Sequence, residues 1–174
     1  MSENENEQAR GAPLGAWVAQ DGLRFEALEN PSEALARAVM RGLFSYNTTQ
    51  IGESHYAQLG IFAYDGVETV ETGADNGEQR ALIGGLVGDL VWDWLHIDAL
   101  WVDERYRGRG VGGALMRHAE ETARAQGIVN VHLETTSFQA LPFYQKLGYE
   151  VFAELPDKPK GASWYYLKKQ GEPA

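Results

Sequence analysis

The segment Arg105-Tyr106-Arg107-Gly108-Arg109-Gly110-Val111-Gly112-Gly113 constrains this chain more than any other. It holds three of the 15 Lys and Arg residues and four glycines, in a protein of formal charge -10. A strand-like run, Trp94 to Val102, leads into it. A helical pattern, Val111 to Gln126, leads out, with Val111, Leu115, Ala119 and Thr122 on one face and Gly127 suited to the helix end. Glycines let backbone N–H groups approach a ligand closely, and a helix N-terminus adds partial positive charge. A strand, a basic glycine turn and a helix together predict a phosphate or pyrophosphate cradle.

The rest of the chain alternates strands and helices around that unit. Leu23 to Leu28 alternates apolar and polar residues as a half-buried strand does. Asn30-Pro31-Ser32-Glu33 then reads as a helix start, with Asn30 as N-cap and Glu33 closing a capping box. Leu35, Ala38, Val39, Gly42 and Leu43 follow at helical spacing, and Ser45 to Glu53 breaks the pattern. Tyr56 to Tyr64 is a strand, and Asp65 to Gln79, acidic and glycine-bearing, is a loop. Further strands are expected at Arg80–Trp92, at Trp94–Val102 and over residues 128–135. A short helix runs from Phe138 to Leu147, and strands at Tyr149–Leu155 and Ser163–Lys169 close the chain. The order β-α-β-β-β-α-β-α-β-β implies a mixed sheet with a central parallel βαβ. Residues 1–22 read as a disordered or extended tail, and residues 23–170 as one domain.

Composition narrows the function. With no cysteine among 174 residues, disulfides and cysteine nucleophiles are excluded, and a reducing, cytoplasmic setting fits. Lys and Arg are outnumbered by 25 Asp and Glu, so a nucleic-acid groove is not expected. The acidic balance leans toward cationic partners. No apolar run approaches the ~20 residues a membrane helix needs. His55, His96, His118 and His132 lack metal-ligand spacing, and no metal is expected.

Two kinds of site use a cradle of this type. Gly108, Gly110 and Gly113 satisfy the dinucleotide fingerprint, and Glu134 lies about 20 residues further on, where a ribose-binding acid would be. Against a nicotinamide-dependent oxidoreductase, the fingerprint comes late in the chain and only one βαβ unit is available. The other reading rests on two motifs. Arg107-Gly108-Arg109-Gly110-Val111-Gly112 matches R-x-x-G-x-G. Downstream, Ala140-Leu141-Pro142-Phe143-Tyr144-Gln145-Lys146-Leu147-Gly148-Tyr149 matches A-x-x-F-Y-x-K-x-G-[FY]. In this order and separation they resemble the acetyl-CoA motifs of the GNAT superfamily of N-acetyltransferases, over residues 23–169, and are similar to small bacterial members of unassigned acceptor.

That resemblance implies an α/β fold with a mixed, mainly antiparallel sheet, helices on both faces, and acetyl-CoA held where the sheet splays. It implies that backbone groups of Leu100 and Val102 pair with pantetheine. It gives the amides from Arg107 through Gly108, Arg109, Gly110, Val111 and Gly112 to Gly113 to the pyrophosphate, with the Arg107 and Arg109 side chains adding charge. Ser137 stands where many members carry an Asn that bonds the pantetheine arm. Tyr144 matches the tyrosine that protonates the leaving thiolate. The backbone near Leu100 or Trp101 would stabilise the oxyanion.

The implied reaction is direct attack of a primary amine on the thioester in a ternary complex. An ammonium of pKa ~10.4 is neutral only to roughly a few parts in ten thousand at pH 7, so a general base is needed. No motif names it. His96 and Asp98 share a parity on one strand, Glu134 ends another with His132 at the same parity, and Glu53 and His55 follow the first helix. The acceptor is a small-molecule or peptide amine. Trp92, Trp94, Trp101 and the run Trp164 to Tyr166 either pack the sheet or support a homodimer. The competing reading is a non-catalytic acyl-CoA-binding or antitoxin-like module on the same fold.

Overall fold

The computed structural model describes residues 12–19, 21–52, 56–65 and 81–172. The chain divides into two compact units, 1–54 and 55–174. The division falls inside the stretch read above as one domain. The expected acidic loop, apart from Asp65, and the candidates Glu53 and His55 lie outside the described residues.

In the first unit β1 (Ala12–Val18) pairs antiparallel with β2 (Arg24–Glu29), and Trp17 stacks on Phe25 with ring centroids 5.9 Å apart. The sequence places β1 in a tail because its alternation is broken, and the ladder itself shifts register between Pro13 and Gly15. Helix α1 (Glu33–Ile51) is capped by Ser32, not by Asn30: the Ser32 hydroxyl accepts from the Leu35 amide at 3.4 Å. Asn30 sits two residues too early, at φ 51°, in the bend that feeds the helix. The helix also continues through Ser45 to Ile51. The Thr48 and Thr49 hydroxyls bond back to the carbonyls of Phe44 and Tyr46 at 2.9 and 2.6 Å, so these residues stay compatible with a helix.

The second unit is a six-stranded sheet in the order β3-β4-β5-β6-β8-β7. Its strands are β3 (Tyr56–Tyr64), β4 (Leu82–Val91), β5 (Trp94–Val102), β6 (Asn130–Thr136), β7 (Glu150–Pro156) and β8 (Ser163–Gln170). Every neighbouring pair is antiparallel except β5–β6. Helix α2 (Val111–Arg124) makes the crossover between those two parallel strands and packs on β3, β4 and β5. The short helix α3 (Leu141–Lys146) joins β6 to β7. Leu115, Met116, Ala119 and Ala123 of α2 bury against Leu86, Leu90, Leu95, Ile97, Val131, Leu133 and Leu167 of the sheet. Met116 and Ala123 thus belong to the buried face, and Thr122 lies at its margin. No described helix is long and apolar enough to cross a membrane.

Two irregularities shape the sheet. The ladder of β4 and β5 pairs Gly88 with Ile97 but Val87 with Ala99, leaving Asp98 as an extra residue. This bulge reverses the parity of β5. Before it Leu95 and Ile97 face α2; after it Leu100 and Val102 pack against the same core. The second irregularity is the parallel pairing itself. It runs from Trp94–Asn130 to Ile97–Leu133 and stops, although both strands continue. Beyond that rung β5 and β6 part.

Gly88 makes the bulge sterically available, because a Cβ there would collide with the carbonyl of His96. Gly88→Ala is expected to cost about 1–3 kcal/mol as an overpacked site. At ~2–4 °C per kcal/mol for a chain of this size, the thermal midpoint falls by roughly 2–12 °C, read by calorimetry.

One buried polar contact ties α2 to the far end of the sheet. The Tyr149 hydroxyl donates to Glu120 at 2.9 Å, and Lys169 Nζ lies 2.7 Å from the other Glu120 oxygen. Burial, then the Glu120 charge, pushes the Tyr149 phenol far above its ordinary value of 10.0. A group raised on folding lends stability that is full below its unfolded pKa and is lost as pH rises beyond it. The parent should therefore lose stability above about pH 10. Tyr149→Phe should be about 1 kcal/mol less stable at pH 7 but show a flatter alkaline limb, checked by urea unfolding between pH 7 and 11.

Candidate active site

The cradle forms where β5 runs out. Asp103 caps one turn of 3-10 helix, its carboxylate accepting from the Arg105 amide at 2.9 Å and from the Arg105 side chain at 3.0 and 2.9 Å. The Arg105 guanidinium holds the Asp103 carboxyl down at about 2. Arg105 is thereby committed to the turn. Gly108 and Gly110 then adopt φ 72° and 84°, a region that L side chains rarely enter. Gly110 occupies the N-cap of α2 and offers no side-chain cap. The first intrahelical bond on that side runs from the Ala114 amide to the Gly110 carbonyl. The amides of Val111, Gly112 and Gly113 are left pointing out of the helix end, which is the electrostatics an anion needs.

A cavity of about 410 Å³ opens beside these amides. Of the residues expected to bind a cofactor, it brings together Leu100, Val102, Arg107, Gly108, Gly110, Val111, Gly112, Gly113 and Tyr144. Tyr106, Ala140 and Phe143 also line it. Phe143 and Ala140 lie inside the second motif and were findable there. Tyr106 sits amid the basic run, its aromatic nature masked by the arginines around it.

The other three expected residues face elsewhere. Trp101 is exposed, because the bulge turns Leu100 and Val102 inward and Trp101 outward. The Arg109 guanidinium lies over the Tyr106 ring, 5.1 Å from its centroid. The Ser137 hydroxyl accepts from the Ser163 amide at 3.2 Å and closes the end of the β6–β8 ladder. Arg107 lines the cavity while its Nε donates to the Val102 carbonyl at 3.1 Å.

The open edge of β5 adds to the cavity wall. The Asp103 amide donates to the Ile83 carbonyl on the β4 side. Alternation along an antiparallel ladder then turns the backbone groups of Leu100 and Val102 the other way, into the gap between β5 and β6. Tyr144, buried on α3, sits at the same cavity and packs edge-on against Phe143 and Tyr149 at 5.0 and 6.0 Å. Burial raises its phenol above 10.0, so its hydroxyl remains a proton-bearing donor at neutral pH.

The remaining candidates gather on the opposite face of the sheet, at the last paired rungs of β5 and β6. Register places His96 directly beside His132. Their rings stack with centroids 4.3 Å apart and planes 8° from parallel. His96 Nε2 lies 2.8 Å from Glu134 Oε2, and its Nδ1 lies 3.1 Å from Asp98 Oδ1. Glu134 is therefore engaged with His96, not positioned as the ribose acid of a dinucleotide site. The grouping also brings donor atoms of His96, His132 and Glu134 within 4.8 Å of one another, a ligand-like set that spacing along the chain concealed. Asp89 of β4 lies across from His96, and Lys168 of β8 lies across from His132. Burial, then the neighbouring His96 charge, pushes the His132 imidazole below its usual 6.5.

Comparison with known proteins identifies the class to which this sheet and cradle belong. The model of the acetyltransferase (GNAT) family matches residues 40–149. The acetyltransferase Atu2258 of Agrobacterium fabrum is 30% identical over 134 residues, covering 77% of this chain and 89% of that one. Blasticidin-S acetyltransferase of Streptomyces morookaense is 46% identical over 95 residues, 54% of this chain and 70% of that protein. A crystal structure of an acetyltransferase from Agrobacterium tumefaciens superposes with a TM-score of 0.74 at 27% identity, covering 86% of this chain and all of that one. The chain belongs to the GNAT acetyltransferase family and is an acyltransferase.

Proposed function

We propose that this protein transfers the acetyl group of acetyl-CoA to a primary amine by direct attack in a ternary complex. One observation carries the reading: just past the rung where β5 and β6 stop pairing, Leu100 and Val102 of β5 line the cavity beside the cradle, and the polar cluster sits at the last paired rungs. The residues suit acetyl-CoA. Three outward-pointing amides and two positive-φ glycines meet a pyrophosphate. The mostly apolar walls from Leu100, Val102, Val111 and Phe143 meet a pantetheine arm, and the unpaired backbone edge of β5 meets its amides.

In this reading the acetyl thioester reaches the gap from the cavity side and the amine reaches it from the side of Asp98, Glu134 and His96. An N–H on the open edge of β5 near Leu100 polarises the carbonyl. The nitrogen sheds one proton before attack. The N–C bond forms, the C–S bond breaks, and Tyr144 donates to the departing sulfur. The second nitrogen proton restores Tyr144, so one proton leaves to solvent per turnover.

The acceptor is a small cationic amine. Three carboxylates, Asp89, Asp98 and Glu134, share the acceptor-side face, in a chain already of charge -10. The name of the Streptomyces relative points to blasticidin S as a first acceptor to test. The cytoplasm, where acetyl-CoA and a cysteine-free chain are both at home, is the working compartment.

Acetyl-CoA at about 100 times its dissociation constant should add ~2.7 kcal/mol and raise the thermal midpoint by roughly 5–11 °C. Gly110→Asp, which sets a carboxylate at the cradle, should abolish that shift and leave the ligand-free midpoint within a few degrees. A shift with NAD instead would overturn the reading. Tyr144→Phe should lower kcat about 10²-fold with KM for acetyl-CoA nearly unchanged, measured by release of free thiol with blasticidin S and a panel of primary amines.

A further inference from the structure

The acetyl-transfer reading leaves the general base open among three residues, and the contacts around them narrow the choice. Asp98 and Glu134 each spend a carboxylate oxygen on the same ring, one on each nitrogen of His96. Both ring nitrogens of His96 thus face a carboxylate oxygen, and the two carboxylates are held against that ring. All three sequence candidates are therefore occupied with one another.

His132 is not. It lies directly beside His96 on β6, half-buried, with one ring face against His96 and Trp94 edge-on to it at 5.8 Å. Among the described residues neither of its ring nitrogens has a hydrogen-bond partner or an ion pair; its contacts are the two ring contacts. It also stands one rung before the strands part, on the face opposite the cavity.

We propose that His132 is the general base of this acetyltransferase, and that His96, clamped by Asp98 and Glu134 and stacked against its ring, is the residue that positions it. The inference rests on the acetyl-transfer reading and deepens it. Burial, then the His96 ring stacked 4.3 Å away, disfavours the charged form of His132. A neutral imidazole with a free lone pair is the form that takes a proton from an ammonium. The proton passes from the acceptor nitrogen to a ring nitrogen of His132, which becomes imidazolium, and then to solvent. The freed amine lone pair forms the N–C bond. Burial of the ring favours that release and returns His132 to its working form.

The charged groups around His132 come from three strands. His96 and Asp98 face it from β5, Glu134 lies two residues along β6, and Lys168 faces it from β8. Asp89 stands one strand further, opposite His96. Burial, then His96, lowers the His132 imidazole, and Glu134 and Asp98 oppose them. The balance favours a neutral ring near pH 7.

The test compares the parent, His132→Gln and His96→Gln in steady-state thiol release with blasticidin S and the amine panel between pH 5 and 9, each protein first checked for its acetyl-CoA thermal shift. For His132→Gln a kcat loss of about 10²–10⁴-fold is expected, with the acetyl-CoA shift intact. His132→Ala should regain part of its rate on adding imidazole. The acid limb of the parent kcat should lie below pH 6.5, and His96→Gln should move it upward. A His132→Gln enzyme within twofold of the parent, or an acid limb that His96→Gln leaves in place, overturns the assignment while acetyl transfer stands. Activity abolished by chelator and restored by zinc overturns it in favour of a metal on His96, His132 and Glu134. No thiol release by the parent with any amine fails the acetyl-transfer reading itself, and the inference with it.

Discussion

The site depends on one constraint: β5 and β6 are hydrogen-bonded for only four rungs and then part. Parallel strands joined by a helix ordinarily stay paired along their shared length, because an unpaired backbone edge inside a sheet leaves donors and acceptors unsatisfied. Here both strands run on past Ile97 and Leu133, so each keeps an edge open toward the other. The bulge at Asp98 falls beside the last rung, where extra local twist turns β5 away. The strand that leaves the pairing is the same strand that ends at the glycine cradle. Opening the sheet and placing the anion site are therefore consequences of one distortion.

That distortion also sorts side chains. Without the bulge, Leu100 and Val102 would lie on the opposite face from Leu95 and Ile97, and Trp101 would face the core. With it, β5 keeps a continuous apolar face toward α2, while His96 and Asp98 stay together on the other. Gly88 is the residue on β4 that tolerates the close carbonyl, so a glycine in a strand that otherwise reads as core has a local cause.

Much of this was legible in the chain. The limits of β5, the start of α2 at Val111 and the turn at Gly127 followed from periodicity and glycine placement, because those signals are local. Two spaced motifs named the cradle and Tyr144 for the same reason. The bulge was not legible, since an extra residue in one strand shows only against its partner. Trp101, read as part of the cofactor wall, turned outward on that account. Asn30 lost the N-cap to Ser32 because both residues cap well and only the backbone bend decides between them. The His96–His132 stack was hidden because the register of a parallel pair is set by the whole crossover helix, and nothing within either strand encodes it.

Charge is distributed across the gap in a way that net composition conceals. The cavity side collects Arg107, helix amides and positive-φ glycines. The opposite face, within one rung of the opening, collects Asp89, Asp98 and Glu134 around two imidazoles. A thioester attacked by an amine needs such a division. Its phosphates must be held by positive potential, and its attacker must be drawn in as a cation and then neutralised. One buried environment cannot do both, since the field that holds a pyrophosphate would repel an ammonium. In the proposed reaction, separating the two potentials by the thickness of a sheet, and joining them only where two strands part, would let each act on its own substrate. A histidine would suit that junction because its unperturbed side chain changes charge in the range where an amine must lose a proton and water must take it.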